Sequence, residues 1–293
     1  MTETLLAEAD WTARAEAHRS RVEQFIEPHL RRARAGIPHP VWDFLFRYYS
    51  LRPRQLRVWH PGYGFVLGGS SRSYLNRAGY GPHPAGVTVT AEYLRSRVDT
   101  VEFIATLLRA TADRSPRLNC FGMHEWAMVY RAPTVRHGQV PLRLGAAGTD
   151  EVVESMPLRC THFDAFRFFT EPAAAMNEGP LSRRDQPEWE QPGCVHANMD
   201  LYKWCYKLGP LIASELMFEC LELAADARAL DMRASPYDLR DHGFEPIAIE
   251  TPAGRAAYIR AQQDIAARAT PLRAAIGDHC DELLVAAMVA VGN

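Results

Sequence analysis

Apolar residues at helical spacing dominate this chain and limit its fold more than any other feature. In the segment 91–113 the apolar residues recur every three or four positions, at Leu94, Val98, Val101, Ile104, Leu107 and Leu108, which is the period of one helix face. The same period predicts helices over 40–51, 195–207, 214–230 and 252–290, the last of them broken near Pro271. A chain patterned in this way is expected to be mainly α.

Strand signals are few and short. Four segments could form strands, namely GFVLGG near residue 64, GVTVT near 86, VPLRLG near 140 and DEVVES near 150. Residues 170–193 read as a long loop rich in Pro, Glu and Arg, and loops of that length are often functional. Because no internal repeat or low-complexity linker is present, the sequence predicts one mainly helical domain over residues 1–293, with a few short strands.

The composition is that of an ordinary soluble globular protein. The 293 residues are 47% hydrophobic and 23% charged, with a formal net charge of -2, which excludes a disordered chain and argues against nucleic acid as a partner. No window of about 18 apolar residues is present, so no membrane span is expected, and no secretory signal is expected either. Six cysteines without a CxxC pair indicate reduced thiols in a cytoplasmic protein.

The segment PGCVHANMDLYKWCYKLGP, residues 192–210, is the most informative for chemistry. If it is helical, His196 and Asp200 lie one turn apart on one face, with Lys203 close to that face. A histidine on a helix walled by aromatic rings is a candidate axial ligand for heme iron. The more common role for a lone buried histidine is a hydrogen bond to a carboxylate, and a bare spacing match does not separate the two.

Two further segments combine histidine with charged and aromatic residues. In CFGMHEWAMVYR, residues 120–131, His124 and Glu125 are adjacent and therefore point to different sides. Arg131 follows an apolar run and needs a carboxylate, which could belong to a substrate, a heme propionate or an ordinary acidic residue. In RCTHFDAFRFFT, residues 159–170, four phenylalanines surround three polar groups, His162, Asp164 and Arg167. Such a cluster could wall a flat ligand or be plain core.

Two further segments carry charged residues: the first is basic and could bind an anion, and the second could capture an amino-acid zwitterion. HPVWDFLFRYYSLRPRQLRVWHPGYG, residues 39–64, has a histidine before proline at each end, His39 and His60, and several arginines between them. LDMRASPYDL, residues 230–239, carries Arg233 among acidic residues just after a long helix. Solvated charges and local ion pairs are the ordinary interpretation of both. The chain has no GxSxG, Walker, dinucleotide or HExxH motif, so hydrolase, kinase and hydride-transfer functions lack support.

HPVWDFLFRYYSLRPRQLRVWHPG, MHEWAMVYR, HFDAFRFF and GCVHANMDLYKW resemble the heme-dependent L-tyrosine hydroxylases of actinobacterial secondary metabolism. These enzymes are related to tryptophan 2,3-dioxygenase, so the resemblance, which covers most of the chain, implies a helical fold of that type. It implies hydroxylation of L-tyrosine to 3,4-dihydroxyphenylalanine with hydrogen peroxide, or with oxygen and a reductant, for antibiotic-type metabolism. A homo-oligomer is also implied.

The resemblance also implies roles for individual residues. His196 would be the iron ligand of a non-covalent heme b, because Asp200 stands where a related enzyme attaches its heme through the cysteine of HxxxC. The other implied roles are a distal acid or base at His60 or His124 with His39 as a further candidate, heme contacts at Arg167 and Lys203, and tyrosine binding at Arg131, Arg233, Glu125 and Asp164.

Three alternatives remain open at the level of sequence. Proteins of this kind are often labelled DNA-3-methyladenine glycosylases, which flip a base into an aromatic pocket. A non-heme iron oxygenase could draw its ligands from His124, Glu125, His162, Asp164, His196 and Asp200, because imidazoles and carboxylates suit iron. A small-molecule binder without catalysis is the third.

Overall fold

The computed structural model describes residues 3–49, 51–133 and 139–289. It is mainly helical with one small sheet, so the predicted fold class is confirmed at that level. The α-helices are α1 (Glu8–Arg34), α2 (Phe44–Arg47), α3 (Pro53–Leu56), α4 (Ala91–Ser96), α5 (Val98–Ala112), α6 (Met123–Ala127), α7 (Gly145–Ser155), α8 (Phe163–Phe166), α9 (Glu171–Met176), α10 (Gln186–Trp189), α11 (Val195–Leu208), α12 (Ser214–Arg233) and α13 (Pro252–Val289). Short 3₁₀ turns cover Ser71–Asn76, Gly209–Leu211 and Arg240–His242.

The sheet contains four short strands in the order β1-β2-β4-β3, namely β1 (Thr4–Leu6), β2 (Phe65–Leu67), β3 (Tyr80–His83) and β4 (Gly86–Val89). β1 runs parallel to β2, and the other neighbours are antiparallel. The strands predicted near residues 64 and 86 are therefore confirmed. The one predicted near 140 is reduced to an isolated bridge between Leu142 and Tyr237, and the one predicted near 150 is wrong because that segment is helical in α7.

The centre of the molecule is α11, which packs against α12, α13 and α5. It begins after the Pro192-Gly193 turn and ends at Gly209, whose positive φ of 62° reverses the chain before a proline. Most of its side chains are buried, including the charged Asp200 and Lys203. A helix surrounded on all sides can carry such groups only if they are paired with each other or with a neighbour.

The helix boundaries differ from the predicted ones in three places. In the described part of the segment 40–51, the only helix is the single turn of α2. The segment 91–113 is split at Arg97 into α4 and α5. α13 runs without interruption through Pro271, so the break predicted there is wrong. The segment 170–193, expected to be a loop, contains the short helices α9 and α10.

Within the described residues, no helix is both long enough and apolar enough to cross a membrane.

Candidate functional site

A cavity of about 830 Å³ opens between α2, α8 and the start of α11. Its size is typical of pockets that hold a cofactor or a small-molecule ligand. The lining combines rings with charged groups, namely Phe44, Tyr48, Phe168, Arg47, Arg228, Asp43, Glu125, Asp164, His39, His196 and His242. A wall of this kind can hold a flat apolar body and also pair with its ionic substituents.

His196 lies in the first turn of α11 and forms part of the cavity wall. Only 13% of its side chain is exposed. Burial, and then the neighbouring His124, hold the pKa of His196 well below its usual value. The imidazole is therefore neutral at physiological pH, which is the form that binds a metal ion.

Two other side chains converge on His196. Ligand atoms of His124, His196 and Asp231 all lie within 4.8 Å of one another. His124 Nε2 is 2.7 Å from Asp231 Oδ1, and His196 Nε2 is 3.8 Å from Asp231 Oδ2. Among the described residues, neither His124 Nε2 nor Asp231 Oδ1 has a hydrogen-bond partner of good geometry. His124 and Asp231 thus form a close imidazole–carboxylate contact, and imidazole with carboxylate is also a donor set for first-row metals.

The carboxylate of this group is anchored from α12. Arg228 Nη1 donates to Asp231 Oδ2 at 3.0 Å and to Glu125 Oε1 at 2.7 Å. Burial alone would raise the pKa of Asp231, but His124, His196 and Arg228 together lower it. Asp231 is thus an anion with fixed orientation beside two imidazoles.

A second buried cluster adjoins His196 on its other side. The His162 ring stacks against the His196 ring, with centroids 5.4 Å apart, and His162 Nε2 is 3.1 Å from Asp200 Oδ2. Lys203 Nζ donates to both Asp200 Oδ2 and Asp164 Oδ2 at 2.7 Å. Burial would lower the pKa of Lys203, but Asp200 and Asp164 outweigh it and raise the value. The lysine is therefore a cation neutralised by two carboxylates.

The short helix α6 brings His124 and Glu125 into the site. The two residues before it, Phe121 and Gly122, have positive φ values of 48° and 70°, and Arg131 shortly after it has a φ of 50°. A positive φ costs a residue other than glycine on the order of 1 kcal/mol. The surrounding packing, rather than local preference, must therefore hold α6 in place.

The structure brings several of the residues singled out in the sequence to one place. Of these, His196, Glu125 and Asp164 line the cavity, and His124 lies directly behind His196, with perpendicular rings 4.1 Å apart. Lys203 reaches the cavity only through the carboxylates that hold it. The predicted one-turn spacing of His196 and Asp200 is present, but the two side chains belong to different clusters, since Asp200 pairs with His162 and His196 approaches Asp231.

Other residues singled out in the sequence lie elsewhere. His60 faces Tyr80, with Nδ1 3.0 Å from the phenol oxygen. Arg131 has a side chain 59% exposed that pairs with Glu154 at 2.6 Å. Neither His60 nor Arg131 lines the cavity, and neither do their partners Tyr80 and Glu154.

Arg167 and Arg233 are also outside the cavity wall. The Arg167 side chain is 42% exposed, and its Nε lies 3.3 Å from Asp164 Oδ1. Arg233 donates from Nε to the carbonyl oxygen of Glu245 at 3.0 Å. Arg167 is therefore adjacent to the cavity through Asp164, whereas Arg233 is held by the backbone.

Sequence reasoning missed the anchor of the site. Arg228 does not stand out in the sequence, and the segment 230–239 is expected to follow a long helix, whereas Asp231 lies within α12. The available signal was an arginine and an aspartate three positions apart in a segment otherwise rich in apolar residues, a spacing that places them on one helix face.

The chain matches no family model, no curated protein and no solved structure. Its function therefore has to be argued from the site itself.

Proposed function

We propose that this protein is a heme-dependent oxidoreductase that hydroxylates L-tyrosine to 3,4-dihydroxyphenylalanine with hydrogen peroxide, or with oxygen and a reductant. The observation that carries the proposal is the position of His196, a buried neutral imidazole in the wall of an 830 Å³ cavity lined by aromatic rings. A neutral histidine is the commonest protein ligand of heme iron in enzymes that react with peroxide or oxygen.

The residues present fit a heme in three respects. His196 supplies an iron ligand, and the nearby Asp231 supplies the carboxylate that commonly orients a metal-binding histidine. Phe44 and Phe168 offer flat apolar walls. Arg47 lies at the cavity, 73% exposed and 3.5 Å from Asp43, so its guanidinium can pair with a propionate. When bound there, heme would supply the activation of peroxide or oxygen.

The remaining polar groups of the cavity suit an amino acid. Glu125 and Asp164 are carboxylates in the wall and can accept the ammonium of tyrosine. His39 and His242 line the same cavity with ring centroids 5.3 Å apart. Burial, followed by the charge of Arg32, lowers the pKa of His39 to about 4. His39 is thus neutral, and because its Nδ1 accepts the backbone N–H groups of Val41 and Trp42, its Nε2 carries the proton and can donate a hydrogen bond to the phenol or the oxidant.

A non-heme metal centre is the second candidate, because His124, His196 and Asp231 form a two-histidine, one-carboxylate donor set. That set is typical of non-heme iron oxygenases. The two candidates share His196 and differ in what the other two residues do. In a heme protein they support one ligand, whereas in a non-heme centre each is a ligand.

The purified protein and three variants separate the candidates. We expect the wild type to bind heme and to show a Soret band at about 400 nm. We also expect it to convert tyrosine to the catechol in the presence of peroxide. H196A should lose the band, while H124A and D231N should keep it with shifted position or reduced affinity. H83A, a replacement of a surface histidine paired with Glu3, is the matched control and should behave as wild type.

Two results would contradict the heme proposal. One is a protein that takes up no heme on titration but contains about one equivalent of iron, lost in all three site variants, which would establish the non-heme centre. The other is an H196A variant whose Soret band and turnover equal those of the wild type.

A further inference from the structure

A second cavity, of about 660 Å³, lies between α5 and α13 and shares no lining residue with the first. Its walls are largely apolar, with contributions from Leu108, Ala112, Leu118, Ala266 and Ala274. Its volume is again within the range of small-molecule sites. We refer to it as the α5–α13 groove.

A buried arginine lies in the wall of the α5–α13 groove. Arg273 is 3% exposed, and its Nη2 donates to the side-chain oxygen of Asn198 on α11. Its Nε has no hydrogen-bond partner among the described residues, and none of the ion pairs found among those residues involves Arg273. Arginine cannot lose its charge in a protein, so the wall of the groove contains a cation in direct contact with no carboxylate of the described residues.

The pKa of Arg273 is consistent with a buried guanidinium that lacks a directly paired carboxylate. Burial lowers it below the usual arginine value, and the more distant Glu190 offsets that only in part. A buried charge without a close partner is strongly unfavourable unless a ligand or ion supplies that partner. The polar part of any ligand in the groove is thus expected to be an anion.

The floor of the groove is left open at Gly277, one helical turn after Arg273. A Cβ atom built on Gly277 would meet no heavy atom within 4 Å, although the residue is buried in the interior of α13. Glycine destabilises a helix interior relative to alanine. The open space next to this glycine lies along the same helix face as Arg273.

Charges near the groove limit the ligand further. Three aspartates lie around it, Asp113, Asp278 and Asp281, and the last of them pairs with Arg109. Arg114 donates to backbone carbonyl oxygens, among them that of Glu190 at 2.8 Å. A ligand with several negative charges would be repelled by the aspartates, whereas a single carboxylate could reach Arg273 alone.

We propose that the α5–α13 groove is a second ligand site, which binds a monocarboxylate with an apolar body. The carboxylate pairs with Arg273 and the apolar part lies along α13 over Gly277. The proposal does not depend on heme or tyrosine, because no residue of the first cavity takes part.

Decanoate is a suitable probe, and calorimetric titration of the purified protein below the micelle concentration measures its binding. We expect saturable binding to the wild type, at least tenfold weaker binding to R273M, and no comparable binding of decanol, which has a similar chain without the charge. R47M, a change at an arginine of the first cavity, should bind decanoate as the wild type does.

A second variant covers the case in which R273M fails to fold. G277L directs a side chain into the open space from a Cβ position that meets no heavy atom within 4 Å, and it replaces glycine by a strong helix former. It should melt at or above the wild-type temperature and lose decanoate binding. The proposal is overturned if the wild type shows no saturable binding, if G277L binds decanoate normally, or if R47M loses binding while R273M retains it.

Discussion

The two most deeply buried arginines of the site region, Arg228 and Arg273, differ in their partners rather than in their burial. They are 2% and 3% exposed. Arg228 donates to two carboxylates, those of Glu125 and Asp231, whereas Arg273 donates to the amide oxygen of Asn198. The ion partners raise the pKa of Arg228 against the effect of burial, while burial dominates at Arg273 and lowers its pKa. Burial alone therefore does not reveal a role. Nε has no hydrogen-bond partner in either arginine among the described residues, so the two differ in charge pairing: carboxylates pair with Arg228, and none of the described ones contacts Arg273.

The largest effect is expected from R228M. The change leaves Glu125 and Asp231 as buried carboxylates without their cation, so the free energy of unfolding should fall by about 3–5 kcal/mol. Urea unfolding at pH 7 measures it. R228K keeps the charge but cannot contact both carboxylates in the same geometry. Its free energy of unfolding should lie between those of the wild type and R228M. If R228M lowers the free energy of unfolding by less than about 1 kcal/mol, Glu125 and Asp231 do not depend on Arg228 for their stability.

An intermediate effect is expected at His60, where pH can create an unpaired buried charge. Burial, then the charges of Arg77 and His18, lower the pKa of His60 to about 4. Because the unfolded chain binds that proton at a higher pH, the contribution of His60 to stability is complete above about pH 6.5 and is lost as the pH falls toward 4.

The measurement is urea unfolding at pH 7 and pH 4.5 for the wild type and H60F. H60F should lose about 2 kcal/mol less than the wild type between the two pH values. H83F, a change at a surface histidine, controls for effects on the unfolded chain. Equal losses in the wild type and H60F would mean that His60 finds a compensating partner when protonated.

The smallest effect is expected from R273M without ligand. Removing a charge that has no counterion relieves its desolvation, and losing the bond to Asn198 opposes that gain, so the free energy of unfolding should change by less than about 1 kcal/mol. Decanoate should raise the melting temperature of the wild type and leave that of R273M unchanged. A destabilisation as large as that of R228M would remove the contrast between the two arginines.

The elements that the sequence predicts well are those with a sustained period. α5, α11 and α12 follow from apolar residues at helical spacing and from Gly209 with Pro210 after α11. α7 was mistaken for a strand because Val152 and Val153 fit either period in so short a segment. Pro271 was expected to break α13, but packing against α5 and α12 keeps the helix continuous, so tertiary contacts override the local preference.

The site was predictable only in part. His196 stands out in the sequence because the helix around it is patterned and rich in aromatic residues. Its neighbours Asp231 and His124 lie 35 and 72 positions away, and only the packing of α11 against α12 and the strained backbone around α6 bring them together. Arg273 is missed for the same reason, since nothing along the chain shows that no carboxylate reaches it.

The helix α11 connects the two cavities. His196 borders the first cavity, and Asn198, two positions later, holds the arginine of the second. Residues two positions apart in an α-helix are separated by about 200° around its axis. The side chains of His196 and Asn198 therefore lie on opposite sides of α11. If α11 shifts or rotates to admit a larger ligand into the first cavity, the contact between Asn198 and Arg273 is displaced as well. Enlarging either cavity would thus require coordinated changes on both sides of α11.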